Sequence, residues 1–369
     1  MPVYVCAESA LQHYRCANPP AEESDAPIGH ARLKDAVSSL RDTSLVSLAG
    51  LCIPEPTADN PLHVLVPQAK DRGRSKRVSP SVWATFIPKR SFRKVGTDLY
   101  VSSPEFLFLQ MARKLELVPL IELGMELCGT YRRDALDGLT LFDRPILTTP
   151  SRISRFLDTI GSAPGAKRAR AAIKFVAPNS ASPLETIVYL LLCLPCRLGG
   201  YGFPQPKLNA NIKLSKRGQE YTLRKRSVPD LYWASAKIDL ECHGKMHELE
   251  TRRQEDSMRR KALEHMGVNV VELTYEEVRN PDLFFASVKR LAKSLGVRIR
   301  SRNERHFAEH EAQLRSTLFP STLRDDQLWR GALSTSDTDT PFDTWDGEEL
   351  PPEFESWEVY MADGGTPEL

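Results

Sequence analysis

Between Ser227 and Glu248 the chain reads SVPDLYWASAKIDLECHGKMHE. Leu231, Trp233, Ile238, Leu240 and Cys242 form an apolar set, and Asp230, Tyr232, Asp239, Glu241 and His243 alternate with them. A period of two is that of a strand with one face in a core. Ala234 to Lys237 is a short connection, so the two runs predict a hairpin. Centred between Ser235 and Ala236, it pairs Trp233 with Ile238, Tyr232 with Asp239, Leu231 with Leu240 and Asp230 with Glu241. Two carboxylates then stand opposite each other, with Cβ atoms about 5 Å apart. Like charges so placed repel. A divalent cation between them removes the penalty, and hard oxygen donors suit Mg2+ or Mn2+. The pattern also fits two acids that face water at a sheet edge. His243 lies two residues beyond Glu241, on the same face.

A third carboxylate is Glu185, in SASPLETIVYLLLCL. Ser182 and Glu185 have the spacing of a capping box, with Pro183 at the first helical position, which would account for Glu185 by itself. The helix following the hairpin carries Arg252, Arg253, Arg259, Arg260 and Lys261. These can bind backbone phosphates or form a solvated face. Lys207, Lys213, Lys216, Arg217, Arg224, Lys225 and Arg226 add to the same positive potential.

The elements that would position these residues begin at Ser182: one helix, several strands, the basic helix, the strand Val268–Thr274 and a last helix from about Asp282 to Leu295, ended by Gly296. Upstream, Ser103 and Pro104 open a helical region dense in leucine, and further helices are expected from Pro150 to about Leu157 and from Lys167 to Val176. Residues 17–30 and 69–79 read as loops. The whole is an α/β (α+β) chain of 369 residues with 41% hydrophobic and 27% charged residues, an ordinary globular composition. No run approaches the ~18 apolar residues of a membrane span, and the first residues lack the pattern of a secretory signal. Seven scattered cysteines suit reduced thiols and a cytoplasmic setting. Cys193 and Cys196 form a C-x-x-C without a second pair at zinc spacing, and Gly199 to Gly202 form a turn cluster.

The net charge of +2 hides a split. Eleven of the 48 acids and none of the 50 basic residues lie in residues 331–369, so residues 1–330 carry a net +13. A body that basic suits a polyanionic partner, most simply nucleic acid. The acidic tail, with its Ser, Thr and Pro, is expected to be disordered.

Taken together, these segments resemble the PD-(D/E)XK nuclease superfamily, and within it a bacterial branch related to very-short-patch-repair endonucleases. The resemblance rests on five motifs in order over residues 165–297: Ser182–Glu185, Val228-Pro229-Asp230, Glu241 to His247, Asp256 to Gly267, and Leu273 to Glu276. It implies a restriction-endonuclease-like mixed sheet flanked by helices and Mg2+-dependent phosphodiester hydrolysis, with DNA the expected substrate. Asp230 and Glu241 match the metal-binding acids, and Glu185 matches the first-helix glutamate. His243 stands where the superfamily usually has Lys; a neutral imidazole there can orient or deprotonate water. His247 matches a downstream histidine with a supporting or acid role.

Residues 95–129, and SALQHYR near the start, are similar to AbiEi-type antitoxin regulators, which implies a cognate toxin as partner. The expected organisation is a smaller mixed α/β region at 1–164, the nuclease-like domain at 165–297, a basic to mixed linker at 298–330 and the tail at 331–369. The alternative function is a non-catalytic antitoxin-like regulator that keeps a degenerate nuclease fold.

Overall fold

The computed structural model describes residues 2–16, 24–26, 48–72, 75–133, 140–141, 144–216, 219, 221, 225–243, 250–299 and 305–319. Residues 1–333 form one compact unit, and a second unit, 334–369, lies outside the described residues.

The N-terminal part opens with β1 (Val3–Val5), α1 (Ala7–Tyr14) and β2 (Ser24–Ala26), followed by β3 (Leu62–Val66), β4 (Val78–Val82), β5 (Phe92–Gly96) and β6 (Leu99–Ser102). These strands make one mixed sheet in the order β2-β5-β6-β1-β3-β4. Strand β1 runs parallel to β6 and antiparallel to β3. Residues 17–30 were expected as a loop, but Ser24–Ala26 pair with Phe92–Lys94 at the sheet edge. The expected loop at 69–79 likewise ends in β4, because Val78–Val82 find a parallel partner in β3.

Two apolar helices follow, α2 (Pro104–Met111) and α3 (Leu117–Leu127). Ser103 Oγ caps α2 by accepting the Phe106 N–H at 3.3 Å. Phe106, Leu107, Phe108 and Leu109 are all fully buried. So many consecutive apolar residues mark a helix covered on every side. Next come the short pair β7 (Arg132–Arg133) and β8 (Thr140–Leu141), then α4 (Pro150–Ile160) and α5 (Ala166–Ile173). Helix α5 packs against both α3 and α4. At Gly165 the backbone is left-handed, and an added Cβ would meet the Leu109 carbonyl oxygen at 3.0 Å; only glycine fits so close a crossing.

The remainder comprises α6 (Pro183–Cys193), β9 (Lys207–Leu208), β10 (Ile212–Lys213), β11 (Arg226–Ser227), β12 (Leu231–Trp233), β13 (Ile238–His243), α7 (Glu250–His265), β14 (Asn269–Thr274), α8 (Tyr275–Arg279), α9 (Pro281–Leu295) and α10 (Arg305–Leu318). A second mixed sheet has the order β14-β13-β12-β9, with β14 parallel to β13 and the other pairs antiparallel. The fold is thus mixed α/β, with mixed sheets flanked by helices. No helix among the described residues is long and apolar enough to cross a membrane.

One expectation is overturned. Cys16 and Cys52 are not separate thiols but a disulfide with Cα atoms 5.7 Å apart, within the usual span for such a bond. The end of α1 brings them together: the Cys52 N–H donates to Nδ1 of the buried His13 at 3.2 Å. The cysteine argument for a reducing compartment therefore lapses. Cys6, Cys128, Cys193, Cys196 and Cys242 take no part in a disulfide.

Candidate active site

The hairpin forms in the expected register: Leu231 pairs with Leu240, Tyr232 with Asp239 and Trp233 with Ile238. Lys237 closes the turn in the left-handed region, at φ 51°. Leu231, Trp233, Ile238 and Leu240 are buried; the indole N–H of Trp233 donates to the Pro204 carbonyl at 2.7 Å. Asp230 stands just before β12. Its Oδ2 accepts the backbone N–H of Cys242 at 2.7 Å, which ties it to the strand carrying Glu241.

The opposite face of the hairpin is largely withdrawn from water: Asp239 and Glu241 are buried, and Asp230, Tyr232 and His243 are half-buried. Helix α7 covers it, with Ala262 and Leu263 packed in a cluster that includes Tyr232 and Val270. Glu241 is 6% exposed and Asp239 fully buried. Neither carboxyl oxygen of Asp239 has a donor from another residue, nor does Glu241 Oε1, and the two carboxyls are near enough to share a proton. Glu241 Oε2 pairs with Arg259 Nη2 at 2.9 Å. An acid without donors is costly to ionise in such a place. Burial first, and the neighbouring Glu241 next, push Asp239 up to about 9. Burial, then Glu185 and Glu241, raise Asp230 as well.

Glu185 arrives from the first turn of α6. Ser182 Oγ caps the helix by accepting the Glu185 N–H at 3.1 Å. The reciprocal half of the expected capping box is displaced by one residue. Glu185 Oε2 accepts from the Ala181 N–H at 2.9 Å and from Asn209 Nδ2 at 2.6 Å. Burial raises Glu185 despite these donors, and the charge of Glu241 adds to the rise. Glu185 from α6, Asp230 just before β12, and Asp239 and Glu241 on β13 therefore share one electrostatic neighbourhood, in which Arg259 pairs with Glu241 and its charge offsets part of the rise at Asp230 and Asp239.

The expected residues fare differently. Glu185, Asp230 and Glu241 come together as a charge cluster, but each is held by protein donors. Among the described residues no three His, Cys, Asp or Glu side chains are arranged to hold a metal ion. His243 ends β13 half-buried. His247 lies outside the described residues, as do the side chains of Arg252 and Arg253. Of the expected phosphate-binding residues, Arg259 points inward to Glu241 instead. Arg260 bridges Glu264 at 3.0 Å and Glu272 at 2.7 Å, and Lys261 is exposed.

Sequence reasoning passed over Asp239 and Asn209, and gave Arg259 an outward, phosphate-binding role. Asp239 already belonged to the polar set of the alternation. Arg259 precedes Ala262 and Leu263 by three and four residues, the spacing of one helix face, so its inward direction was legible. Nothing in the sequence marks Asn209, whose backbone is left-handed at φ 47°. The chain matches no protein-family model, no curated protein and no solved structure.

Proposed function

We propose that residues 165–297 form a Mg2+- or Mn2+-dependent phosphodiesterase of the PD-(D/E)XK type that acts on nucleic acid, with DNA the expected substrate. One observation carries this reading. Asp239 and Glu241 together hold three buried carboxyl oxygens without a donor from any other residue, near enough to each other to share a proton, beside Asp230 and Glu185. A structural acid normally has its donors; a cation site keeps oxygens in reserve.

The donor set fits such an ion only in part. Among the described residues there is no ready three-ligand cage, but Mg2+ is commonly bound by one or two carboxylates, with water and substrate phosphate completing its shell. Asp230 and Glu241 would hold it. A bound divalent cation supplies charge neutralisation at a phosphate and a more acidic water. The chain's own residues do the rest. The Cys242 N–H orients Asp230, Asn209 and Ala181 orient Glu185, and His243 stands at the strand end as the candidate proton-transfer group. Exposed Lys261 and the basic residues of β9 to β11 supply backbone phosphate contacts.

The test is cleavage of plasmid and single-stranded DNA with Mg2+ or Mn2+, comparing wild type with Asp230→Asn. Metal-dependent cleavage by wild type that falls to background in the variant is the expected result; cleavage equal in both sinks the proposal. The Arg259–Glu241 ion pair favours a second reading, a regulator in which an arginine has permanently replaced the metal. In that case neither protein cleaves, yet DNA or a toxin partner still binds.

A further inference from the structure

Strands β10 and β11 belong to a segment whose charge is one-sided. Residues 207–227 hold seven basic residues and a single acid, Glu220. The ladder sets Ile212 opposite Ser227 and Lys213 opposite Arg226, and the Leu214 N–H adds a bond to the Lys225 carbonyl at 3.1 Å. Lys213, Lys216, Lys225 and Arg226 are exposed. Two cations directly across a ladder repel and weaken the strand pair. A phosphate laid over them turns that penalty into an attraction.

The segment is anchored on α7 all the same. Leu214 is buried against Ala262, Leu263 and Val268, and the Ser215 N–H donates to Met266 Sδ at 3.4 Å. At the end of α7 the rings of Tyr221 and His265 stack, with centroids 4.6 Å apart and planes 25° from parallel. The phenol oxygen lies 2.5 Å from His265 Nε2, which fixes the two rings to each other. Tyr221 is nevertheless 36% exposed, and His265 is exposed as well. Rings left in water forfeit the gain an aromatic side chain makes on burial. What they provide here is a flat, preset surface beside a row of cations.

A nucleic-acid strand is complementary to that surface, with phosphates for the cations and flat bases for the rings. Every base has a π face and can stack on an aromatic side chain. In a duplex those faces are already covered by neighbouring bases, so the rings favour bases that are unpaired. We infer that the β10–β11 segment and the end of α7 bind a strand with unpaired bases, one base stacking on the Tyr221–His265 pair while adjacent phosphates lie over Lys213 and Arg226. The inference deepens the nucleic-acid reading above and rests on it for the class of partner, but it asks nothing of the carboxylate cluster. Helix α7 joins the two places: Arg259, the partner of Glu241, precedes His265 by about 9 Å along the helix axis. Single-stranded stretches, loops and frayed ends are the expected form of substrate.

The experiment follows binding to the full-length protein by fluorescence anisotropy, in EDTA and at low salt. The probes are a single-stranded thymidine oligonucleotide, the same backbone with abasic sites in place of the bases, and a duplex of equal length. Wild type should bind the base-bearing strand about tenfold more tightly than the abasic one. Tyr221→Ala should remove that preference and keep its affinity for the abasic strand. Tyr221→Phe keeps the ring without the hydroxyl contact and should retain the preference. Duplex binding should change little in either variant. Lys213→Gln/Arg226→Gln should weaken binding of all three probes and flatten the salt dependence on the single strand by about 1.4 in log–log slope, the share of two phosphate contacts.

Equal affinity of wild type for the base-bearing and abasic strands overturns the inference, and that comparison needs no variant to fold. Equal losses on both strands in Tyr221→Ala overturn it too, since they mark a ring that only pins the segment to α7. EDTA keeps divalent cation out of the measurement. Absence of the base preference together with Mg2+-dependent cleavage therefore refutes the stacking surface alone. A base preference without cleavage upholds the surface and refutes the phosphodiesterase reading.

Discussion

Buried carboxylates decide how single residues respond to pH. Glu122 on α3 is the clearest case away from the candidate site. Burial raises it to about 7, Arg133 opposes the rise and Glu126 adds to it. Glu126, in contrast, is lowered: burial works against its charge, but Arg15, at 2.5 Å, outweighs that. Folded protein therefore keeps a proton on Glu122 that unfolded chain releases above about 4.5. Between that value and about 7 the folded form binds more protons, so this residue's contribution to stability falls as pH rises. The fall amounts to at most about 3 kcal/mol. Urea denaturation of wild type and Glu122→Gln at pH 5 and pH 7.5 checks it. The stability difference between the two proteins should change with pH in that direction, and a constant difference would refute the assignment. Asn209 makes the second residue-scale test. Asn209→Ala removes the 2.6 Å donor from Glu185, and losing a hydrogen bond to a charged group costs about 2 kcal/mol. A loss well under 1 kcal/mol would mean Glu185 does not depend on it.

The elements show which parts of the fold the chain spells out locally. Ser182, Pro183 and Glu185 mark the start of α6 because a helix end needs acceptors for its first N–H groups. Ser182→Ala should cost about 1 kcal/mol, measured by thermal melting. The hairpin was legible to the register because a one-residue slip would turn Leu231 and Leu240 outward and the short Ala234–Lys237 connection excludes larger shifts. Its turn is a weak point: Lys237 sits at φ 51°, where a side chain costs roughly 1–2 kcal/mol and glycine none. Lys237→Gly should therefore stabilise by about 0.5–1 kcal/mol, and a destabilised variant would show that the lysine side chain compensates. Less was legible where the partner is distant in sequence. β2 and the first residues of β4 look like loop until β5 and β3 offer them hydrogen bonds. The burial of the polar hairpin face follows from α7 folding over it, which alternation alone does not announce. The disulfide escaped for the same reason: 36 residues separate its two cysteines, and only the packing of α1 brings them together.

At the scale of the whole chain, charge is divided more sharply than structure. Residues 1–330 carry a net +13 and residues 331–369 a net −11. Phe342, Trp345, Phe354, Trp357 and Tyr360 are interspersed among the acids of that segment. Carboxylates and aromatic rings are also what a nucleic acid offers, phosphates and bases, so the segment is expected to act as a competitor in the same chain, at high effective concentration. Full-length protein should then bind a duplex oligonucleotide more weakly than residues 1–330 do. The gap should be widest at low ionic strength. It should close as salt rises, because the Debye length falls from about 30 Å at 0.01 M to about 8 Å at 0.15 M and both competitors act through screened charge. Anisotropy titrations of the two proteins across that salt range check this without knowledge of a target sequence, since backbone affinity is largely sequence-independent. A segment that only adds negative charge at a distance would weaken binding as well. Replacing the five aromatic residues with serine separates the two cases: a competing tail loses part of its effect, whereas a distant charge keeps all of it. Equal affinities for full-length and shortened protein at low salt would leave the tail no part in binding.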